Sequence, residues 1–286
     1  MSSNTLKNRT KASLGRQAFI EVEPGVKLHV IDWGEGQPVV LIPGYPLGAG
    51  MYEYTFHALL KAGFRAIGIS MRGFGQSDKP YGAINYEVFT DDIKVVLETL
   101  NIENALIGGH SMGGSIAIHF VAKFGGEHIS KLGLFAAAAP KHTKVPDYPY
   151  PAFKKEEITA WVDGFSTDRP GILGQIGEKF ALSATSIPAG IGAWLGTLSG
   201  EASPYAMVQA LIALRDEDIR DDLAKIKVPT LILHARQDQI AAFALAEQMH
   251  KGIKNSELVI FENSGHALFI EEMKKFNDEL IKFLKK

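Results

Sequence analysis

The sequence has no cysteine among its 286 residues. Disulfide bonds, thiolate metal sites and a cysteine nucleophile are therefore excluded. It also lacks an excess of charge of either sign, since 30 lysines and arginines oppose 32 aspartates and glutamates. A net charge of −2 provides no basic surface for nucleic acid and no strong attraction to acidic membranes, so we expect neither as a partner.

Long apolar runs are absent as well, and no stretch of the sequence reaches the length of a membrane span. Residues 1–16 are polar and basic and lack the apolar stretch of a secretion signal. We therefore interpret them as a flexible N-terminal lead and take a cytoplasmic location as the default expectation.

The apolar content is nevertheless high enough for a large core, at 46% of the residues. Strand-like apolar runs alternate with amphipathic helical stretches along most of the chain. This alternation predicts a mostly parallel sheet that is covered by helices on both faces. The clearest runs are the expected strands at 39–42, 66–70 and 132–136 and the expected helices at 50–62 and 86–100.

The alternation stops between residues 140 and 222, where prolines separate short amphipathic segments. We interpret 140–222 as a helical cap that is inserted into the chain and roofs the site. The core domain would then consist of 17–139 and 223–286.

A glycine-flanked serine follows one of the apolar runs. Residues 104–108 are typical of a buried strand, Gly109, Ser111 and Gly113 come next, and a small-residue helical pattern follows. A nucleophilic serine requires this order of strand, sharp turn and helix, because the turn aims its hydroxyl out of the sheet. Glycine is needed two residues before and after, since side chains there would make the strand and the helix collide. The same turn leaves the N–H of Met112 at a helix N-terminus, where an oxyanion would form. A tightly packed turn without chemistry is the alternative interpretation.

A serine hydroxyl also needs a base, and histidine has the most suitable pKa. His266 and Asp238 each follow a strand-like run, so both should lie at the same edge of the sheet as Ser111. Asp238 would then orient the imidazole. In the alternative, His266 is a helix-start residue and Asp238 caps a helix that begins near Ile240. We expect His110 to brace the serine turn.

These segments resemble the α/β-hydrolase superfamily from about Gln17 to the end of the chain. The resemblance rests on residues 39–47, on residues 63–80 and on the three loops above, which follow the order serine, aspartate, histidine. Within the superfamily, the sequence is most similar to cofactor-free haloperoxidases, bacterial aryl esterases and γ-lactamases. The resemblance implies an α/β-hydrolase fold with a mostly parallel eight-stranded sheet, helices on both faces and an inserted α-helical cap.

The resemblance also implies a catalytic triad of Ser111, Asp238 and His266. The backbone N–H groups of Tyr45 and Met112 would form the oxyanion hole.

Three positions near the site modify what the resemblance implies. Relatives usually carry His-Gly where this chain has Pro43-Gly44, which removes a side-chain brace from the oxyanion loop but not its backbone donor. Ser70 replaces an acidic residue, a change that we expect to be structural. In haloperoxidase-like relatives, a proline at the position of Pro46 accompanies the use of hydrogen peroxide as acyl acceptor, which suggests a perhydrolase side activity.

Together, the residues and the resemblance predict a serine hydrolase of small aryl or alkyl carboxylic esters that works through an acyl-enzyme without cofactor or metal. Lactones and lactams are further candidate substrates. The candidate pocket residues are Pro46, Trp161, Trp194, Ile240 and Leu268. The physiological substrate and the oligomeric state do not follow from the sequence.

Two other functions remain open. One is a C–C bond hydrolase of the same fold, although such relatives usually carry asparagine at the position of His110. The other is a ligand-binding receptor or signalling protein on a hydrolase scaffold. Turnover of a generic aryl ester separates these from an esterase.

Overall fold

The computed structural model describes residues 18–286 and arranges eight strands in one sheet. The order across the sheet is first, second, fourth, third, fifth, sixth, seventh and eighth strand. The second strand pairs antiparallel with both the first and the fourth, and the other five pairs are parallel, which confirms the predicted fold class. The expected N-terminal lead, residues 1–16, lies outside the described residues. The strands are β1 (Phe19–Glu23), β2 (Val26–Trp33), β3 (Pro38–Ile42), β4 (Arg65–Ile69), β5 (Ala105–His110), β6 (Ile129–Phe135), β7 (Thr230–Ala235) and β8 (Ser256–Phe261).

The sheet separates two apolar clusters because successive side chains of a strand point to opposite faces. In β3, Val40 and Ile42 belong to one cluster, whereas Val39 and Leu41 belong to the other. The strands β5 and β7 are buried along their whole length, as continuous apolar runs in a parallel sheet must be.

Helices cover both faces of this sheet, and no helix within residues 18–286 is long and apolar enough to cross a membrane. The predicted helix at 50–62 begins as a 3-10 turn, Ala49–Tyr52, which precedes the α-helix that starts at Glu53. The predicted helix at 86–100 begins at Tyr86. The helices are α1 (Glu53–Lys61), α2 (Tyr86–Thr99), α3 (Met112–Phe124), α4 (Lys155–Gly164), α5 (Arg169–Glu178), α6 (Ala189–Gly200), α7 (Pro204–Asp216), α8 (Phe243–Gly252), α9 (Leu268–Glu271) and α10 (Met273–Leu284).

Four of these helices, α4 to α7, lie between β6 and β7. They fall within residues 140–222, which we call the inserted segment. Three of its prolines begin helices: Pro170 and Pro204 occupy first turns and Pro188 precedes α6. The first turn of a helix has no use for the N–H that proline lacks. The proline-interrupted pattern in the sequence therefore marks where these helices start.

The register of the parallel strands brings the loops of the site to one edge. Ile42 of β3 is paired with Gly109 of β5, and Ala235 of β7 is paired with Phe261 of β8. Since the carboxyl ends of parallel strands meet at the same edge, the loops after β3, β5, β7 and β8 converge there.

Candidate active site

Ser111 lies in the turn between β5 and α3 with φ 53° and ψ −120°. A side chain in the left-handed region costs on the order of 1–3 kcal/mol, so the surrounding structure must hold it there. The Ser111 N–H donates to the carbonyl of Phe135, and the Ser111 carbonyl accepts the N–H of Ala138, both at 3.0 Å. The end of β6 and the loop after it thus hold the serine backbone through its N–H and its carbonyl.

The flanking glycines are where the sequence argument requires them. A Cβ on Gly109 would overlap the carbonyl of Gly113, and a Cβ on Gly113 would overlap the carbonyl of Ile42. The strand, the turn and the helix therefore pack so closely that neither position has room for a methyl group.

His266 and Asp238 are brought together by the loops after β8 and β7. His266 donates its Nδ1–H to Oδ2 of Asp238 at 2.7 Å, and both side chains are buried. The other oxygen of Asp238, Oδ1, accepts the backbone N–H groups of Ile240 and Ala241 at 2.8 Å each. The two sequence interpretations of Asp238 are thus compatible, because one oxygen binds a turn and the other orients the histidine. The α-helix itself begins later, at Phe243.

Burial controls the charge of this pair. Desolvation lowers the pKa of His266 well below its usual value and raises the pKa of Asp238. The imidazole is therefore neutral at neutral pH. Because Nδ1 carries the proton that Asp238 accepts, Nε2 is the basic nitrogen.

His110 lies directly beside His266. Its Nε2–H donates to the backbone carbonyl of His266 at 2.9 Å, and the two ring centroids are 4.6 Å apart. Burial lowers the pKa of His110 to about 3, so this ring is neutral as well. His110 thus links the serine turn to the loop that carries His266.

The loop after β3 supplies Tyr45 beside the serine turn. A Cβ built on Gly44 would come within 3.1 Å of the Ser111 Cβ, so the backbone of this loop packs directly against the serine. The loop is held by the N–H of Leu47, which donates to the Gly44 carbonyl at 2.8 Å. On the other side, Met112 is the first residue of α3, so its N–H has no acceptor within the helix. The N–H groups of Tyr45 and Met112 both belong to the backbone, so neither requires a side chain at position 43.

A cavity of about 760 Å³ adjoins this loop. Tyr45, Pro46 and Leu47 form one wall, and α5, α6 and the chain between them form the others. Of the predicted pocket residues, only Pro46 lines this cavity.

The other four predicted pocket residues do not line this cavity, and their place in a substrate pocket stays a prediction. Trp161 packs against Phe153 at a ring distance of 5.0 Å, and Trp194 packs against Tyr54 at 6.0 Å. Leu268 is fully buried in an apolar cluster and Ile240 is buried in the turn beside Asp238. Each of these four side chains packs against apolar residues outside the cavity. The apolar pattern of a sequence does not distinguish such a packed residue from one that lines a pocket.

Three residues that the sequence argument did not select contact the site. Phe180 lies edge-on to His266 with ring centroids 5.7 Å apart and also lines the cavity. Glu271 accepts the N–H of Gly265 and the N–H of Leu182, each at 2.7 Å, and so joins the His266 loop to the inserted segment. The signal in the sequence that pointed to this role of Glu271 was its position five residues after His266.

The third is His234, at the end of β7. Its Nε2–H donates to the carbonyl of Ala241 at 2.7 Å, and the same nitrogen lies 3.6 Å from Oδ2 of Asp238. Burial lowers the pKa of His234, so the ring is neutral. It holds the turn whose N–H groups bind Asp238.

This chain is similar to known proteins in both sequence and structure. The profile of the alpha/beta hydrolase family matches residues 39–279. The chain is 46% identical over 265 residues to the AB hydrolase superfamily protein YisY of Bacillus subtilis (strain 168), which covers 93% of this chain and 98% of that protein. It is 30% identical over 280 residues to the non-heme chloroperoxidase CPO-A1 of Kitasatospora aureofaciens, covering 92% and 97%.

Among solved structures, an esterase from Exiguobacterium antarcticum superposes with a TM-score of 0.91 at 40% identity, covering 95% of this chain and 100% of that one. The predicted resemblance to haloperoxidases and esterases is confirmed.

Proposed function

We propose, from the premise that this chain belongs to the alpha/beta hydrolase family, that it is a serine hydrolase that cleaves carboxylic esters through an acyl-enzyme. The observation that carries the proposal is the 2.7 Å bond between Asp238 and His266 at the edge where Ser111 is held in its strained turn. Relatives that are named as an esterase and a non-heme chloroperoxidase support carbonyl chemistry of this kind.

Acylation begins when Oγ of Ser111 attacks the ester carbonyl and Nε2 of His266 takes the hydroxyl proton. The charge that develops on the imidazole is stabilised by Asp238, which accepts the Nδ1–H. The carbonyl oxygen becomes an oxyanion between the N–H groups of Tyr45 and Met112, where each donor is worth about 2.7–4 kcal/mol. His266 then protonates the alcohol, which leaves as the C–O bond breaks.

Deacylation repeats these steps with water. His266 takes a proton from water, the resulting hydroxide equivalent attacks the acyl carbonyl, and the carboxylic acid and the free Ser111 hydroxyl are released. The inserted segment, residues 140–222, acts in this proposal as the cap that covers the site of the core domain, 17–139 and 223–286.

Perhydrolysis is a second activity of the same acyl-enzyme. Hydrogen peroxide in place of water would release a peroxyacid, in which the peroxide O–O bond is kept and the Ser111 ester bond is broken. Pro46 lines the cavity beside Tyr45, and the similarity of the chain to relatives that are named as non-heme chloroperoxidases supports this activity.

The test is hydrolysis of p-nitrophenyl acetate by wild type, by Ser111→Ala and by the matched control Ser115→Ala, one turn further along α3. We expect Ser111→Ala to lower kcat by a factor of at least about 10⁴. The control should keep its activity. With added hydrogen peroxide, wild type and Ser115→Ala should yield peroxyacetic acid, and Ser111→Ala should not.

Each failure has a different meaning. Absence of turnover by folded wild type contradicts the esterase and favours the C–C bond hydrolase or the receptor. Equal rates for wild type and Ser111→Ala contradict the nucleophile. Ester hydrolysis without peroxyacid contradicts only the perhydrolase activity.

A further inference from the structure

The cavity beside the site lies between two helices, and both helices line it partly with glycines. On the α5 side it is lined by Gly174 and Gly177, and on the α6 side by Gly192, Gly196 and Gly200. The three glycines of α6 are four residues apart, so they share one face of the helix. An added Cβ would meet nothing within 4 Å at any of these five positions, so open space lies in front of each one.

Such glycines lower the stability of both helices. A glycine in a helix interior costs about 1 kcal/mol relative to alanine, and no neighbouring backbone requires it here. All five glycines are exposed, and they leave open a volume of about 760 Å³, which is within the range of sites for drug-sized ligands.

Polar contacts fix the chain at both ends of the gap. At one end, Arg169 donates to the carbonyls of Gly200 and Ala202 at 3.0 and 3.2 Å. At the other end, Glu271 accepts the N–H of Leu182 and the hydroxyl of Ser186 at 2.7 and 2.5 Å. Arg169 thus ties the start of α5 to the end of α6, and Glu271 ties the chain between the two helices to the segment that follows His266.

The chemistry of the wall is mostly apolar. Leu173, Ile176, Phe180, Ile187 and Leu195 line it together with the glycines and alanines. Its two charged residues bring opposite charges, and the guanidinium of Arg169 is already engaged by two carbonyls, while Glu178 is exposed. No ligand charge of one sign is therefore selected.

The cavity adjoins the catalytic centre. Tyr45, whose N–H is the proposed oxyanion donor, forms part of its wall, and Phe180 separates it from His266. The buried hydroxyl of Tyr45 has no hydrogen-bond partner among residues 18–286, so this residue of the wall carries an unsatisfied polar group.

We propose that the cavity between α5 and α6 binds the long apolar chain of an ester substrate, and that the glycine faces set the chain length that is accepted. The proposal rests on the proposed esterase function and replaces small esters by longer ones as the preferred substrates. The chain is either the acyl or the alcohol part of the ester.

The experiment compares kcat/KM over two series of esters with wild type, Gly196→Leu and Gly190→Leu. Gly190 is the matched control, because it lies in the same helix with nothing within 4 Å but does not line the cavity. Neither leucine is expected to impair folding, since leucine is a better helix former than glycine. p-Nitrophenyl acetate, butanoate, octanoate and dodecanoate vary the acyl chain, and acetates of the corresponding alcohols vary the alcohol chain.

With wild type, kcat/KM should rise from acetate to octanoate in one series, because burial of each methylene is worth about fourfold. Gly196→Leu should lower kcat/KM for octanoate at least tenfold and leave that for acetate within about twofold, since four side-chain carbons fill the far part of the cavity. Gly190→Leu should match wild type. The series that responds identifies the acyl or the alcohol chain as the occupant.

An equal loss at all chain lengths in Gly196→Leu, or the same profile as Gly190→Leu, would overturn the chain-binding proposal. A wild-type preference for acetate in both series would overturn it as well. In all three cases acetate is still hydrolysed and the esterase function stands. If wild type hydrolyses none of the esters, the esterase function itself is wrong.

Discussion

Replacement of Asp238 by asparagine should remove most of the activity and leave the fold intact. Oδ1 of Asp238 accepts two backbone N–H groups at 2.8 Å, and Oδ2 accepts the Nδ1–H of His266 at 2.7 Å. Asparagine has a single acceptor oxygen, and the two fixed N–H groups require it. Its NH₂ group would therefore face Nδ1 of His266 and donate to it.

This reversal selects the wrong tautomer of His266. When Nδ1 is an acceptor, the proton is on Nε2, which can no longer take the proton of Ser111. The same change in a serine protease triad lowers kcat about 10⁴-fold. That factor corresponds to about 5.4 kcal/mol in the activation free energy, and we expect a similar loss here.

The assay is kcat for p-nitrophenyl acetate at neutral pH, with Asp278→Asn as the control, since Asp278 is an exposed residue of α10. A loss of less than tenfold in a folded Asp238→Asn variant would refute the tautomer argument. An unfolded variant would refute the claim that asparagine keeps both bonds to the turn, which circular dichroism checks separately.

The free energy of unfolding of Asp238→Asn should also depend on pH differently from that of wild type. Burial raises the pKa of Asp238 from 3.8 to about 6, so the folded state binds this proton more tightly than the unfolded chain does. The wild type should therefore lose stability as the pH rises from about 3.8 to about 6, and the asparagine variant should lack this component. Urea unfolding across that range measures the difference.

Two further predictions concern stability. Burial lowers the pKa of His119, but its hydrogen bonds to Asp222 and Glu87 outweigh that effect and leave the pKa raised. Its stabilising contribution should thus be complete below pH 6.5 and be lost as the pH rises through the higher pKa of the folded state, and His119→Gln should flatten this part of the urea-unfolding profile. Gly113→Ala should destabilise the fold by about 1–3 kcal/mol, because the new methyl group meets the carbonyl at the end of β3. Gly190→Ala, with open space around it, should instead stabilise by up to about 1 kcal/mol, and thermal unfolding that ranks the two variants the other way would contradict the packing argument.

Much of the framework of the site follows from local sequence. The apolar runs predicted β3, β5, β7 and β8, and parallel strands place their carboxyl ends at one edge whatever the loops contain. The glycines around Ser111 predicted a turn with no room for side chains, although the atom that a Cβ on Gly113 would meet belongs to Ile42 of another strand. Local patterns predict the strands and the turn because backbone conformation depends mainly on residues nearby in the sequence.

The sequence alone left the role of Asp238 divided between a turn and a partner for His266. The structure shows that each oxygen has its own donor. No spacing rule reveals this, because it depends on how two loops that are 28 residues apart approach each other.

The cavity in which the proposed substrate chain would lie follows from tertiary structure. Trp161 and Trp194 were chosen as large apolar residues of the inserted segment, yet both pack outside this cavity, and its walls combine aliphatic side chains with glycines. A cavity is a space between elements, and here contacts of Arg169 and Glu271 with residues distant in the sequence fix the chain at its two ends. The sequence thus determined the sheet, the serine turn and the order of the site loops, whereas the space between α5 and α6 depends on the tertiary arrangement of these two helices.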